Sequence, residues 1–351
     1  MESITRPRFF LLLLVSGLLV FLVGCSGASP AVGSTATLTP TAPPTFTPTP
    51  LPIPHLTYTG HTSQVLAVSW SPDGTKLVSA SSDGTAQVWD AVTGKTLLTY
   101  KGHAEPVWAV AWSPDGKRIA SASGREPTST EHTAQVWDAA TGKTLLTYKG
   151  HQNSITYMAW SPDGKYLATA SYDRTVQVWD ATTGKTLTTY QGHNQRIWAV
   201  AWSPDGKLLA SGSDDNTVQV WDAATGKTLL KYQGHTNSVY SLAWSHSGKE
   251  IASGSIDTTV QIWDAATGTT IFTYKGHTRT VWGVGWSKDD KRLASSSMDK
   301  TVQVWDAATG GNVIIYHGHS QTVTALAWSP DGKRLATSSV DTTVQVWQPP
   351  A

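Results

Sequence analysis

A Ser or Thr, a His, an Asp and a Trp recur together along this chain; in one stretch they are Ser211, His193, Asp215 and Trp221. Ser, His and Asp in one neighbourhood suggest a hydrolase, in which an imidazole oriented by a carboxylate takes the proton of a nucleophilic hydroxyl. The count argues against it: the full set of residue types occurs six times, and no enzyme needs six equivalent triads. Other chemistry is equally unsupported. The 11 His residues show no His-x3-His or Glu-paired spacing of a metal site. The single Cys excludes an intrachain disulfide and any multi-cysteine metal site. No Gly-rich phosphate loop, nucleophile elbow or basic-aromatic stripe is present. The formal charge of +1 gives no reason to expect nucleic-acid binding. No enzyme, cofactor or metal is therefore expected.

The elements that hold these residues are set by repetition. Gly-His occurs at His61, His103, His151, His193, His235, His277 and His319, with spacings of 42 except for one of 48. Trp-Asp follows in six units (Trp89, Trp137, Trp179, Trp221, Trp263 and Trp305), and the seventh copy is Trp347-Gln348. Trp-Ser recurs at Trp70, Trp112, Trp160, Trp202, Trp244, Trp286 and Trp328. A chain of 351 residues would ordinarily suggest two domains, but seven copies of one unit exclude that division. Each unit reads as four short strands. In the fourth, residues 197–202 alternate as a strand and Ser203-Pro204-Asp205-Gly206 turns the chain, with Pro presetting φ and Gly supplying the positive φ. Residues 208–212 return, Asp214-Asp215-Asn216 turns again, and the β-branched run 217–221 is a third strand. A reversal at residues 222–226 leads into the fourth, residues 228–232.

Gly-His, then Trp-Asp, at a period of 40–45 residues resembles the WD40 repeat. The resemblance covers residues 53–348 and implies an all-β, seven-bladed propeller of four-stranded blades around a central channel. Residues 53–59 match the fourth strand of a unit, while the chain stops just after Trp347, one strand short. The N-terminal strand is thus expected to complete the last blade and close the ring, leaving no free sheet edge there. The resemblance also implies that His193, Ser211, Asp215 and Trp221 form a buried structural relay. The corresponding aspartates are Asp83, Asp173, Asp257, Asp299 and Asp341. In the second unit a six-residue insertion puts Glu131 in the Asp position, and the relay there is expected to fail.

Near-identical units act as an internal control: a position that varies while its surroundings stay fixed is free for another role. Five residues after the His the series is Leu66, Trp108, Thr156, Trp198, Tyr240, Trp282 and Thr324. Two positions earlier it is Gln64, Pro106, Ser154, Arg196, Ser238, Thr280 and Thr322. Just before the relay acid it is Ser82, Thr130, Tyr172, Asp214, Ile256, Met298 and Val340. The resemblance places all three series around the channel mouth on the top face. Large aromatics with Arg and Met are what interface centres use. Leu66, Trp108, Trp198, Trp282, Tyr240, Tyr172, Arg196 and Met298 are therefore candidate contacts for a protein or peptide, with a carbohydrate as the alternative ligand. The 17 Trp divide accordingly into seven that end third strands, seven that end first strands, and these three.

The N-terminus reads as an address. Arg6 and Arg8 precede an apolar run over residues 9–23, short for a membrane span. It ends at Cys25, the only cysteine, in a pattern that resembles the bacterial lipoprotein lipobox. Residues 1–24 are expected to be removed and Cys25 lipidated; without them the formal charge is zero. Residues 25–52, rich in Thr and Pro, follow as a semi-rigid polyproline-II stalk without a core. The expected product is a monomeric propeller held by a lipid anchor on the extracytoplasmic face of a bacterial membrane.

Overall fold

The computed structural model describes residues 54–124 and 131–350. The signal segment, Cys25, the stalk and insertion residues 125–130 lie outside the described residues.

The described chain forms seven four-stranded antiparallel sheets. In blade one, Val65–Trp70 is the inner strand, followed by Lys76–Ser81, Ala86–Asp90 and the outer strand Thr96–Tyr100. Six blades are continuous in sequence. The seventh takes Val323–Trp328, Leu335–Ser339 and Val344–Trp347 from the C-terminal end and its outer strand, Leu56–Tyr58, from the N-terminal end. Leu56 pairs with Val346 and Tyr58 with Val344, so the expected closure is present, with a strand shorter than residues 53–59. Each inner strand packs on the next, and the seventh on the first.

Two sets of Trp join the blades. The Trp that ends each third strand is fully buried and stacks on the Tyr ending the outer strand of the preceding blade, as Trp221 does on Tyr190 at 4.4 Å. Tyr58 stacks on Trp89 at 4.4 Å, so the closing seam repeats this contact. Six of the seven Trp that end inner strands donate to a carbonyl of the preceding blade, and Trp112 is the exception among the described residues. Trp202 Nε1 donates to Ala159 O at 3.1 Å, and Trp70 Nε1 to Ala327 O at 3.0 Å across the closure. Offset aromatic pairs add about 1 kcal/mol beyond the area they bury, and seven of them distribute that gain evenly round the ring.

The Gly before each relay His is set by close approach. A Cβ on Gly192 would overlap the Tyr190 hydroxyl and Gln219 Oε1, which are hydrogen-bonded to each other. Gly206, at φ 70°, is instead a turn glycine.

Candidate interaction site at the channel mouth

The relay fixes the frame in which the mouth is built. In blade four, Trp221 Nε1 donates to Ser211 Oγ at 3.3 Å, and Ser211 Oγ lies 2.9 Å from His193 Nε2. His193 Nδ1 lies 2.8 Å from Asp215 Oδ2. With the carboxylate ionised, the network assigns the proton to Nδ1 and makes Nε2 the acceptor for the Ser hydroxyl. Burial opposes ionisation of Asp215, but hydrogen bonds from His193 and Thr217 outweigh it and hold the carboxyl down at about 2. Ser211 is fully buried and His193 is 5% exposed, so the hydroxyl has no approach for a substrate.

Blade two corrects the expectation that its relay fails. Glu131 Oε1 lies 2.9 Å from His103 Nδ1, His103 Nε2 lies 2.8 Å from Ser121 Oγ, and Trp137 Nε1 donates to Ser121 at 3.1 Å. Glu131 thus reaches His103 despite its extra methylene. Burial works against the Glu131 charge, but bonds from His103 and Thr133 hold its carboxyl at about 2. The shortened relays are in blades six and seven. There the Trp305 and Trp347 indole N–H groups have no acceptor among the described residues, although His277 and His319 keep both partners.

The mouth itself is made by seven bulges. In every blade the pairing of inner and second strands skips one residue, as between Ile197 and Ala199. The skipped residues are Leu66, Trp108, Thr156, Trp198, Tyr240, Trp282 and Thr324, the first variable series in full. A bulged residue is left out of the ladder and its side chain is re-aimed. All seven line a cavity of about 290 Å3 at the top end of the channel, together with Gln64, Met298, Thr322 and Val340.

The ring of bulges is asymmetric. Trp198, Tyr240 and Trp282 of blades four, five and six form one arc, with centroids 4.5 Å apart for Trp198–Tyr240 and 4.8 Å for Tyr240–Trp282. Trp198 and Trp282 meet edge to face at 6.5 Å. Trp108 and Leu66 line the cavity from blades two and one. Thr156 and Thr324 turn into the seams instead: Thr156 Oγ1 donates to Ile197 O at 2.7 Å and Thr324 Oγ1 to Val65 O at 2.6 Å.

Tyr172 and Arg196 do not line the cavity but form a shelf beside it. The Arg196 guanidinium lies 4.7 Å over the Tyr172 ring, and Tyr172 meets Trp198 edge-on at 5.1 Å. Asp214 accepts the Trp198 indole N–H at 2.6 Å and fixes that ring. Burial pushes the Tyr240 phenol up, and the Asp214 charge adds to the rise.

Sequence reasoning missed Tyr157. It stands six residues after its His, where the other blades carry Ala67, Ala109, Ala199, Ser241, Gly283 and Ala325. Tyr157 is 45% exposed, but only to the lumen of the narrow channel, and the surrounding protein pushes its phenol up. Comparing that position between units would have found it. A second missed feature lies at the opposite end. Where blades one to five place Gly against a Pro of the preceding blade, as Gly206 packs on Pro162, blade six has Asp290 at φ 57° against His246, with Nδ1 and Oδ1 2.9 Å apart.

Residues 127–307, just over half of the chain, match the family model described as the WDR3 first beta-propeller domain. Residues 53–90, 94–138 and 310–348 match the WD domain, G-beta repeat. Among curated proteins, human Gem-associated protein 5 is 56% identical over 46 residues, which are 12% of this chain and 3% of that protein. The mouse protein is 52% identical over 46 residues, with the same shares. Protein Mut11 of Chlamydomonas reinhardtii is 57% identical over 35 residues, 10% of each chain. The chain thus spans a tenth or less of these relatives, and the likeness is one of single repeats. The repeat matches from 53 to 348 and the seven closed sheets together establish that this chain belongs to the WD40-repeat family of β-propellers.

Proposed function

We propose that this chain is an extracytoplasmic, membrane-anchored WD40 propeller that binds a protein or peptide at the mouth of its channel and has no catalytic role of its own. What supports the binding site is the coincidence of seven bulges with a position that varies between units while its strand neighbours stay nearly fixed. Packing explains a shared residue; it does not explain why the freed position carries Trp three times and Tyr once. WD40 propellers commonly act as interaction scaffolds, which agrees with this use. A carbohydrate ligand is the weaker alternative, because the arc rings sit tilted or edge-on to one another and leave no flat platform for a sugar face. The single cysteine at the end of the apolar run supports the anchor, and the chain enters the propeller at Leu56, at the end of the blade opposite the mouth.

Two experiments test the two halves. Capture from envelope extract by the full chain is expected to be lost when Trp198, Tyr240 and Trp282 are all replaced by Ala; equal capture would refute the binding site. Cys25→Ser is expected to move the protein from the membrane to the soluble fraction, and unchanged fractionation would refute the anchor.

A further inference from the structure

The mouth has a chemistry more specific than a general docking face. None of the residues lining the cavity is Asp, Glu, Lys, Arg or His. A strongly hydrated cation such as an ammonium would lose its water there with only ring faces, and no lining carboxylate, to replace it. The volume, about 290 Å3, is roughly twice that of the cavity of about 150 Å3 that holds benzene, so a one- or two-ring side chain fits. The walls are the Trp198–Tyr240–Trp282 arc on one side and Leu66 and Val340 on the other, with Tyr157 as the bulky residue deeper in the lumen.

The shelf adds a charge. Arg196 is exposed, stacked on Tyr172, and takes part in no ion pair among the described residues. Through Tyr172, its guanidinium stands within about 10 Å of the Trp198 ring, a span that an extended peptide covers in two to three residues at ~3.3 Å each. We propose that the mouth takes an uncharged aromatic side chain of an extended peptide, and that Arg196 pairs with a carboxylate two or three residues away from it. This rests on the reading of the mouth as a peptide-binding site and names its ligand.

The test is selection of a random 12-residue phage library on the full chain. Enriched clones are expected to share Phe, Tyr or Trp with Asp or Glu two or three positions away. Their synthetic peptides are expected to bind at least tenfold more weakly to Leu66→Trp, which fills the mouth from the opposite wall. That variant is expected to fold, since the same bulge carries Trp in three other blades. Arg196→Ala is expected to abolish the acid preference and keep the aromatic one. Clones that bind at the mouth through Arg or Lys, or with no ring, would overturn the proposal and leave the scaffold reading intact. Clones indifferent to Leu66→Trp would overturn both. Free indole binding as tightly as the best peptide would make this a small-molecule pocket and refute the peptide.

Discussion

In blade four Ser211 and Trp198 sit on adjoining strands: Ser211 is bonded to His193 inside the blade, while Trp198 stands at the channel mouth. Around the ring the first position is Ser or Thr seven times, and the second is Leu, Trp, Thr or Tyr. The difference lies in what the backbone demands. Ser211 is in the ladder, its side chain enclosed, and every polar partner depends on its hydroxyl. Trp198 is the bulged residue, excluded from pairing, so its identity changes without disturbing the register. One blade thus carries a position that tolerates almost nothing beside one that tolerates almost anything of suitable size.

Acid should break the relay side of this contrast most. The relay carboxyls lie below their ordinary values in the folded chain, those of Glu131, Asp173 and Asp215 at about 2. Groups with lowered folded values stabilise fully above their unfolded values and lose that contribution as they protonate. Stability is therefore expected to hold above about pH 4 and to fall steeply towards pH 2, read as the denaturant midpoint against pH. A flat profile across that window would mean the relays contribute little.

His193→Ala should come next. It leaves the Asp215 carboxylate without its main partner, at a cost of about 3 kcal/mol by equilibrium unfolding. Glu131→Ala should cost about 2 kcal/mol, since His103 and the Ala104 N–H both lose an acceptor. A cost near zero would show that blade two stands without its relay. Trp198→Ala should cost no more than about 2 kcal/mol, because its ring is only half-buried and gives up edge or tilted contacts with Tyr172, Tyr240 and Trp282 and one hydrogen bond to Asp214. If it destabilised as much as His193→Ala, the mouth would be part of the frame and the contrast would collapse. The smallest change should have the opposite sign. Ser296 is fully buried with no partner for its hydroxyl among the described residues, at a position held by Ala in three blades. Ser296→Ala is expected to gain about 0.5–1 kcal/mol.

Much of the frame was legible because its signals are local. Pro, Gly and Asn mark turns by the φ they fix or tolerate, and a His-to-Asp interval of 22 residues recurs in six units. The membership of the relay came from the resemblance to the WD40 repeat, since residue type alone suggested a hydrolase triad. Glu131 was misjudged because spacing and residue type do not show whether a longer acid at that position still reaches His103, which is a matter of distance in the folded blade. At the mouth, the bulge series announced itself by variation, but the direction of each side chain depends on neighbours in adjoining strands and blades. Thr156 bonds to Ile197 of the next blade, and Tyr172 and Arg196 stack beside the cavity instead of entering it. Tyr157 replaces a small residue and Asp290 a glycine of the other units, so their signal lies in a single departure and not in a variable series.

Blade seven is shared between the two ends of the chain, and this gives the molecule a way of counting. Loss or gain of one whole 42-residue unit would leave Leu56–Tyr58 and Val344–Trp347 with the same residues to offer each other. The strand pairing is therefore indifferent to how many blades lie between, and the curvature each blade imposes on the next must choose the number. A repeat duplicated or deleted in the gene would meet no mismatch at the clasp, only a ring too tight or too loose. The same property carries a hazard in concentrated or newly made protein: Leu56–Tyr58 of one molecule fits the third strand of blade seven in another, so a chain that has not yet closed on itself can close on its neighbour.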